Sequence, residues 1–100
     1  MRVEAALEIA NDHPAYDGHF PGQPILPAVV ILAEVLANVE AATGRAPQDW
    51  EVASAKFLAP VTPGCALTLA HEVLESGGVR FEVRCGAVIA ASGTLAPRRE

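Results

Sequence analysis

Apolar residues follow two different patterns along this chain, and the longer one predicts a helix. From Ala28 to about Thr43, apolar residues occupy nearly every face of a helical wheel. Gly44 follows, which is typical of a helix C-terminus, and Pro27 suits the first turn, where a missing N–H costs nothing. The pattern predicts one long helix that is buried on most sides.

Short alternating runs predict β-strands in the rest of the chain. The runs are VEAALEI near the start and then EVASAKFLAPV, CALTLAHEVLE, VRFEVRC and AVIAASGTLA. The turn signals TPG and SGG separate the later runs, which indicates an antiparallel meander. Val79, Phe81 and Val83 alternate with charged residues, so one face of the sheet is packed and the other is wet. The helix is the only partner large enough for the packed face, which predicts an α+β fold.

The composition indicates one domain with more apolar surface than a small monomer needs. The chain has 100 residues, of which 51% are hydrophobic, and its mean hydropathy is +0.28. A domain of this size buries a limited share of its surface. We therefore expect a single domain over residues 1–100 with a buried dimer interface.

Charge and hydropathy exclude several classes of partner. The net charge is −5, and Arg98 and Arg99 form only a short basic pair, so we expect neither nucleic acid nor an anionic membrane surface as a partner. The longest apolar run, from Ile25 to Ala33, stops at Glu34 and is too short to cross a bilayer. The first residues, MRVEAALEIA, lack the features of a secretory signal, so we expect a cytoplasmic protein.

Four residues with reactive side chains are expected to be structural. Cys65 and Cys85 lack metal-site spacing, and we interpret them as two buried free thiols in a reducing cytoplasm. His71 lies in a predicted strand and is expected to be half-exposed. His13 lies beside a proline in a loop and is expected to face solvent.

The stretch DGHFPGQPILP contains the strongest candidate for chemistry, His19. Gly18 and Gly22 allow tight backbone on both sides of it, and the prolines that follow restrict the loop. A helix N-terminus, with its free N–H groups, begins just downstream. An imidazole titrates near neutrality and can accept a proton there. The stretch predicts a proton-transfer site, and an ordinary surface histidine is the alternative.

Glu34 is the second candidate, because an acid within an apolar helix is costly to bury unless it is used or paired. The alternative is a narrow polar edge that Glu34 shares with Asn38 and turns toward solvent or a partner chain.

Two motifs resemble one enzyme family. GHFPGQPILP at residues 18–27 resembles the hot-dog-fold 3-hydroxyacyl-acyl-carrier-protein dehydratases, especially the compact dehydratase-like proteins of aryl-polyene-type pathways. KFLAPVTPGCALTL at residues 56–69 is similar to the family's Phe-x-x-Pro-Val-x-Pro-Gly stretch, which begins an outer strand. The resemblance covers nearly the whole chain and implies a hot-dog fold, in which an antiparallel sheet wraps one long central helix.

The resemblance also implies a reaction, which is loss of water from a 3-hydroxyacyl thioester to give a trans-2-enoyl thioester in fatty-acid or polyene synthesis. It makes His19 the base, and it places an acid on the central helix of the other subunit of a homodimer. The implied substrate-binding residues are Phe20, Gly22, Pro27, Ala28 and Ala33, with the Ala28 N–H holding the carbonyl oxygen. The implied partner is an acyl carrier protein or acyl-CoA thioester, and no metal or organic cofactor is implied.

The chain departs from the family at the acid. Aligned without gaps, the acid position falls on Ala33, and Glu34 is turned by about 100° around the helix. Either one residue is inserted and Glu34 is the acid, or the acid is lost. Pro27 and the family length of the loop favour the loss. An acid-deficient subunit that binds acyl carrier protein or pairs with a related chain is therefore an alternative function, and a hot-dog thioesterase is another.

Overall fold

A computed structural model describes residues 2–7 and 25–98, which form a five-stranded antiparallel sheet and one α-helix. The predictions for His13, His19, Phe20 and Gly22 lie outside these residues. The elements in chain order are β1 (Arg2–Leu7), α1 (Ala28–Thr43), a 3-10 turn (Pro47–Asp49), β2 (Trp50–Phe57), β3 (Leu67–Val73), β4 (Val79–Cys85) and β5 (Val88–Pro97). The sheet order is β1-β3-β4-β5-β2. One helix against an antiparallel sheet confirms the predicted α+β fold.

The predicted meander is correct for β3, β4 and β5 and wrong for β2. Strand β2 does not pair with β3, its successor in the chain, but with β5, where Trp50 lies opposite Pro97 and Phe57 opposite Ala91. The connection over residues 58–66 is long enough to pass β5 and β4 and reach β3, which a tight hairpin turn is not. As a result, β2 forms one edge of the sheet and β1 the other.

Helix α1 has the predicted bounds but is less buried than predicted. Gly44 ends it in the left-handed conformation, at φ 78°, and donates its N–H to the Glu40 carbonyl at 2.8 Å. Ile31, Val35 and Val39 are the buried residues of the helix. Its other sides are partly or fully exposed, because the sheet of a single chain covers only one face of the helix.

The helix-facing side of the sheet forms the core, as the alternation in β4 predicts. Val79, Phe81 and Val83 are at most 2% exposed, and the charged residues between them lie on the outer face. Phe81 lies opposite Gly93 in β5. A Cβ atom at Gly93 would approach the Phe81 ring to 2.8 and 2.9 Å and would also collide with the Ser54 carbonyl. Gly93 is therefore needed for the aromatic ring to pack across β5.

The prediction of two free thiols is wrong, because Cys65 and Cys85 form a disulfide. Their Cα atoms are 5.6 Å apart, within the usual range for a disulfide. The register explains the proximity: Leu67 begins β3 directly opposite Cys85, the last residue of β4, and Cys65 lies two residues before Leu67. Both cysteines are partly buried against the core.

His71 is buried rather than half-exposed, with 3% of its surface accessible. It lies opposite Val3 in β1 and Phe81 in β4, which places it on the helix-facing side. Neither ring nitrogen has a hydrogen-bond partner. Desolvation lowers the pKa of His71 below 6.5, so the neutral form is favoured in the folded chain. Glu72, the residue after His71, pairs with Arg80 of β4 at 3.6 Å on the outer face.

Substituting Gly93 with alanine should destabilise the sheet. The added methyl group has no space between the Ser54 carbonyl and the Phe81 ring, and overpacking of this kind costs about 1–3 kcal/mol. Urea unfolding of Gly93→Ala measures the loss. The control is Ser92→Ala, whose side chain lies on the outer face beside Gly93; its free energy of unfolding should stay within about 0.5 kcal/mol of the wild type. An equal effect of the two substitutions would contradict the close packing.

His71 should make the stability of the protein depend on pH. The folded-state pKa is lowered, so below about pH 6.5 the unfolded chain takes up a proton that the folded chain resists. The free energy of unfolding is therefore not reduced by His71 above that pH, and it decreases as the pH falls below it. Replacing the ring by His71→Val should therefore reduce the loss of stability between about pH 7.5 and about pH 5.5. Urea unfolding at both values tests this, and identical losses for the two proteins would contradict it.

Candidate functional site

An apolar pocket of about 250 Å³ lies at the N-terminus of α1. One side is formed by the chain entering the helix and by the first helical turns, and the other by the end of β2 and the loop that follows. The lining residues are Ile25, Leu26, Ala28, Ile31, Phe57, Leu58, Ala59, Pro60 and Val61. The pocket can hold an apolar group beside the end of the helix.

Backbone hydrogen bonds hold the two sides of the pocket together. The Leu26 N–H donates to the Val61 carbonyl at 2.8 Å, which joins the chain before the helix to the loop after β2. The Leu58 and Ala59 N–H groups donate to the Ala90 carbonyl at 2.8 and 3.3 Å, which fixes the start of that loop to β5. Leu26 and Val61 are 3% and 1% exposed, so this attachment belongs to the core.

The N-terminus of α1 supplies hydrogen-bond donors to this pocket. Pro27 is the N-cap residue of α1, with φ −62° and ψ 147°. The sequence predicted it in the first helical turn, which begins one position later. It offers no side-chain cap, and the first turn contains no acidic residue. The Pro27 carbonyl accepts from the N–H groups of Val30 and Ile31 at 3.1 and 3.4 Å. The Ala28 and Val29 N–H groups have no partner within the helix, so this end of α1 suits an oxygen atom that gains negative charge.

The two candidate acid positions lie on different sides of α1. Ala33 is exposed, one helical turn after Val29, whose side chain is 73% exposed. Glu34 is half-buried beside the buried Val35. The Asn38 Nδ2 donates to the backbone carbonyl of Glu34 at 2.8 Å and not to its carboxylate. Glu34 and Asn38 are both half-buried, and this hydrogen bond does not involve the Glu34 carboxylate.

Of the predicted site residues, Ala28 lines the pocket, and Pro27 precedes it as the N-cap residue of α1. Ala33 and Glu34 follow on the same helix, one to two turns away. His19, Phe20 and Gly22 belong to residues 8–24, which lie outside the described parts of the chain. Sequence analysis missed the other wall, residues 57–61. Its motif was expected to begin an outer strand, whereas residues 58–66 form a connection and β3 begins at Leu67.

Two other depressions contain none of the predicted site residues. One, of about 320 Å³, lies on the outer face of the sheet among charged and hydroxyl side chains, including those of Lys56, Arg80 and Ser92. The other lies near the start of β2 and the end of β5. Arginines of the outer face pair with neighbouring carboxylates, as Arg84 does with Glu82 at 2.6 Å. The pocket at the start of α1 therefore remains the candidate site.

No helix within residues 2–7 and 25–98 is long and apolar enough to cross a membrane. The same residues contain no group of three or more histidine, cysteine, aspartate or glutamate side chains that could hold a metal ion.

Comparisons with known proteins agree with this architecture. A 3-hydroxyacyl-[acyl-carrier-protein] dehydratase FabZ from Erythrobacter litoralis is 35% identical over 92 residues, which are 83% of this chain and 61% of the relative. The chain spans about three fifths of the length of the curated relatives it matches first.

Two solved structures share the fold. The dehydratase heterocomplex ApeI:P from Xenorhabdus doucetiae matches with a TM-score of 0.80 at 24% identity, over 98% of this chain and 88% of that one. The fluoroacetyl-CoA thioesterase FlK matches with a TM-score of 0.68 at 17% identity, over 95% of this chain and 83% of that one. These likenesses confirm the hot-dog fold.

The family model for ApeI-like proteins, described as ApeI dehydratase, matches residues 1–94. It includes both the motif around His19 and the wall of the pocket. The chain therefore belongs to the ApeI-like dehydratase family.

Proposed function

We propose that this protein removes water from a 3-hydroxyacyl thioester and yields a trans-2-enoyl thioester. The observation that carries the proposal is an apolar pocket beside an uncapped helix N-terminus, reached by the chain directly after the His19 motif. The pocket suits the acyl group, and the N–H groups of the first helical turn, which have no partner within the helix, suit the thioester carbonyl. The FabZ relatives, named as acting on 3-hydroxyacyl-acyl-carrier-protein, support this substrate class.

In the proposed reaction, His19 takes the proton from the carbon next to the thioester carbonyl. The Ala28 N–H stabilises the negative charge that develops on the carbonyl oxygen. The electron pair then forms the carbon–carbon double bond, and the hydroxyl group leaves with its bonding electrons. A proton from the carboxyl group of the partner subunit's Glu34 completes a water molecule. His19 finishes protonated and Glu34 ionised, and a proton transfer through solvent resets both.

The position of the acid favours a second candidate function. Helix α1 begins at Ala28, directly after Pro27, and this start supports the ungapped alignment with the family motif, in which position 33 is the acid position. Ala33 then occupies the family's acid position, and a methyl group cannot donate a proton. The chain in this case lends His19 and its pocket to a related subunit that supplies the acid. The Xenorhabdus structure, described as a dehydratase heterocomplex, supports this alternative.

An apolar margin along β2 supports assembly into a dimer. We define this margin as Val52, Phe57 and Leu58, which are 43%, 45% and 59% exposed. Val52 and Phe57 lie opposite Leu95 and Ala91 on the helix-facing side of an edge strand. Exposed apolar side chains along such an edge favour pairing with another chain. We propose a homodimer in which two β2 edges meet. We further propose that this dimer acts in the cytoplasm on acyl carrier protein or acyl-CoA thioesters, in fatty-acid or aryl-polyene synthesis.

Dehydration should depend on His19 and Glu34. The pure protein should convert a 3-hydroxyacyl thioester to the enoyl product, measured by absorbance of the conjugated thioester. His19→Ala and Glu34→Gln should each lower kcat/KM on the order of 10²–10⁴-fold, the usual contribution of one acid or base. His13→Ala, a second histidine expected to face solvent, serves as the control and should keep full activity.

The two candidate functions give different results in this assay. An inactive pure chain that gains activity when mixed with a related acid-bearing subunit, and loses it with His19→Ala, indicates the heterodimer. Both candidates are contradicted if the wild type and His19→Ala have the same activity after the acid-bearing subunit is added.

The apolar margin should control dimer formation. Sedimentation should show a dimer at micromolar concentration, and Val52→Asp should shift it toward monomer because a carboxylate in an apolar interface is left unpaired. Val73→Asp is the matched control, since Val73 is 45% exposed and Val52 is 43% exposed, but Val73 lies at the end of β3. Dimers of equal affinity for both variants would show that β2 is not the interface.

A further inference from the structure

The Cys65–Cys85 disulfide joins the connection over residues 58–66, whose first part lines the pocket, to the sheet. Cys65 lies near the end of the connection 58–66, and Cys85 is the last residue of β4. Beside it, the Gly86 N–H donates to the Ala66 carbonyl at 2.9 Å. The start of the connection is fixed to β5 through Ala90. The connection is therefore attached at both ends, and the disulfide is the covalent attachment.

Between those two attachments lies the part of the connection that forms the pocket. Leu58, Ala59, Pro60 and Val61 line the pocket, and the Val61 carbonyl receives the Leu26 N–H. If Cys65 is released from Cys85, Val61, four residues earlier, is held less firmly. The chain that enters α1 is bonded to Val61 through Leu26, so it is held less firmly as well. The position of the uncapped helix N-terminus depends on the same attachment.

Both sulfur atoms belong to half-buried residues, so small thiols can reach the bridge. The intracellular setting proposed above makes a permanent disulfide unexpected, since cytosolic disulfides are usually transient and redox-sensing. The two cysteines are separated by 20 positions, and closing a loop of that size stabilises the folded chain substantially. Breaking and re-forming the Cys65–Cys85 bond would therefore change the stability of the folded chain.

We propose that Cys65 and Cys85 form a reversible dithiol–disulfide site that sets how firmly the pocket wall is held. A thiolate of a small dithiol attacks one sulfur, and the Cys65–Cys85 bond breaks. The second thiol of the dithiol releases the mixed disulfide, which leaves two protein thiols and an oxidised, cyclic dithiol. Oxidised glutathione reverses the reaction and is reduced to two molecules of glutathione. The effect on acyl binding rests on the proposed function, but the thiol chemistry does not.

Hydrogen exchange of single amides tests the proposal without any enzymatic assay. The wild-type protein is prepared in dithiothreitol and in oxidised glutathione, and alkylation followed by mass measurement counts its free thiols. Two thiols are expected in the first buffer and none in the second. Reduction should speed exchange of the Leu26 N–H roughly tenfold or more, because its acceptor Val61 is less firmly held, while the Phe81 N–H in β4 should change little.

A double variant, Cys65→Ala with Cys85→Ala, gives the matched control and should behave as the reduced protein in both buffers. The oxidised wild type should unfold roughly 10 °C or more above it. Equal exchange of the Leu26 N–H in the two buffers overturns the proposal, as do two alkylated thiols in oxidised glutathione.

The same two samples separate this inference from the proposed dehydration. If the thioester is dehydrated, reduction should raise KM more than it lowers kcat, because binding at the pocket wall is what changes. If no dehydration occurs in either buffer while the Leu26 exchange still differs, the thiol site stands and the proposed function fails.

Discussion

The hydrogen bond between the Leu26 N–H and the Val61 carbonyl determines the geometry of the candidate site. It joins two segments far apart in the chain, and both residues are almost completely buried. Because of this bond, the chain that follows the His19 motif enters α1 against a fixed wall. The apolar pocket and the helix N-terminus consequently lie side by side. A thioester needs both features, one for its acyl group and one for its carbonyl oxygen.

Helix α1 has one apolar side that packs on the sheet and another that the single chain leaves exposed. Ile31, Val35 and Val39 pack on the sheet, whereas Val29 and Ala33 lie on the exposed side. The proposed mechanism draws its acid from a neighbouring subunit, so the exposed side of α1 is the side on which we propose that a partner binds. If a second copy binds there, Glu34 is the proposed acid. If Ala33 occupies the acid position, a related chain has to supply the acid.

The sequence was most informative where a physical pattern was continuous. A largely apolar segment bounded by Pro27 and Gly44 predicted both ends of α1, and alternation in β4 predicted which residues face the core. Alternation defines the face of a strand but not its neighbour, so the pairing of β2 with β5 was missed. The burial of His71 was missed for the same reason, because it depends on the register with Val3 and Phe81.

Proximity across strands also explains the other errors. Cys65 and Cys85 meet only because Leu67 pairs with Cys85, a register that spacing along the chain does not reveal. The pocket wall at residues 57–61 has no periodic pattern, and only its motif distinguished it. The catalytic assignment of His19 and the substrate-binding assignments of Phe20 and Gly22 rest on the motif at 18–27 and fall outside the described residues.

The central claim is that a thioester binds with its carbonyl at the N-terminus of α1 and its acyl group in the adjacent pocket. Titration of the isotope-labelled protein with an unreactive 3-hydroxyacyl thioether analogue, followed by amide chemical shifts, tests it most directly. The account predicts saturable shifts of the Ala28 and Val29 amides together with Leu58, and none at Ser92 on the outer face. Shifts confined to the outer face, with Ala28 and Val29 unmoved at saturation, would contradict it.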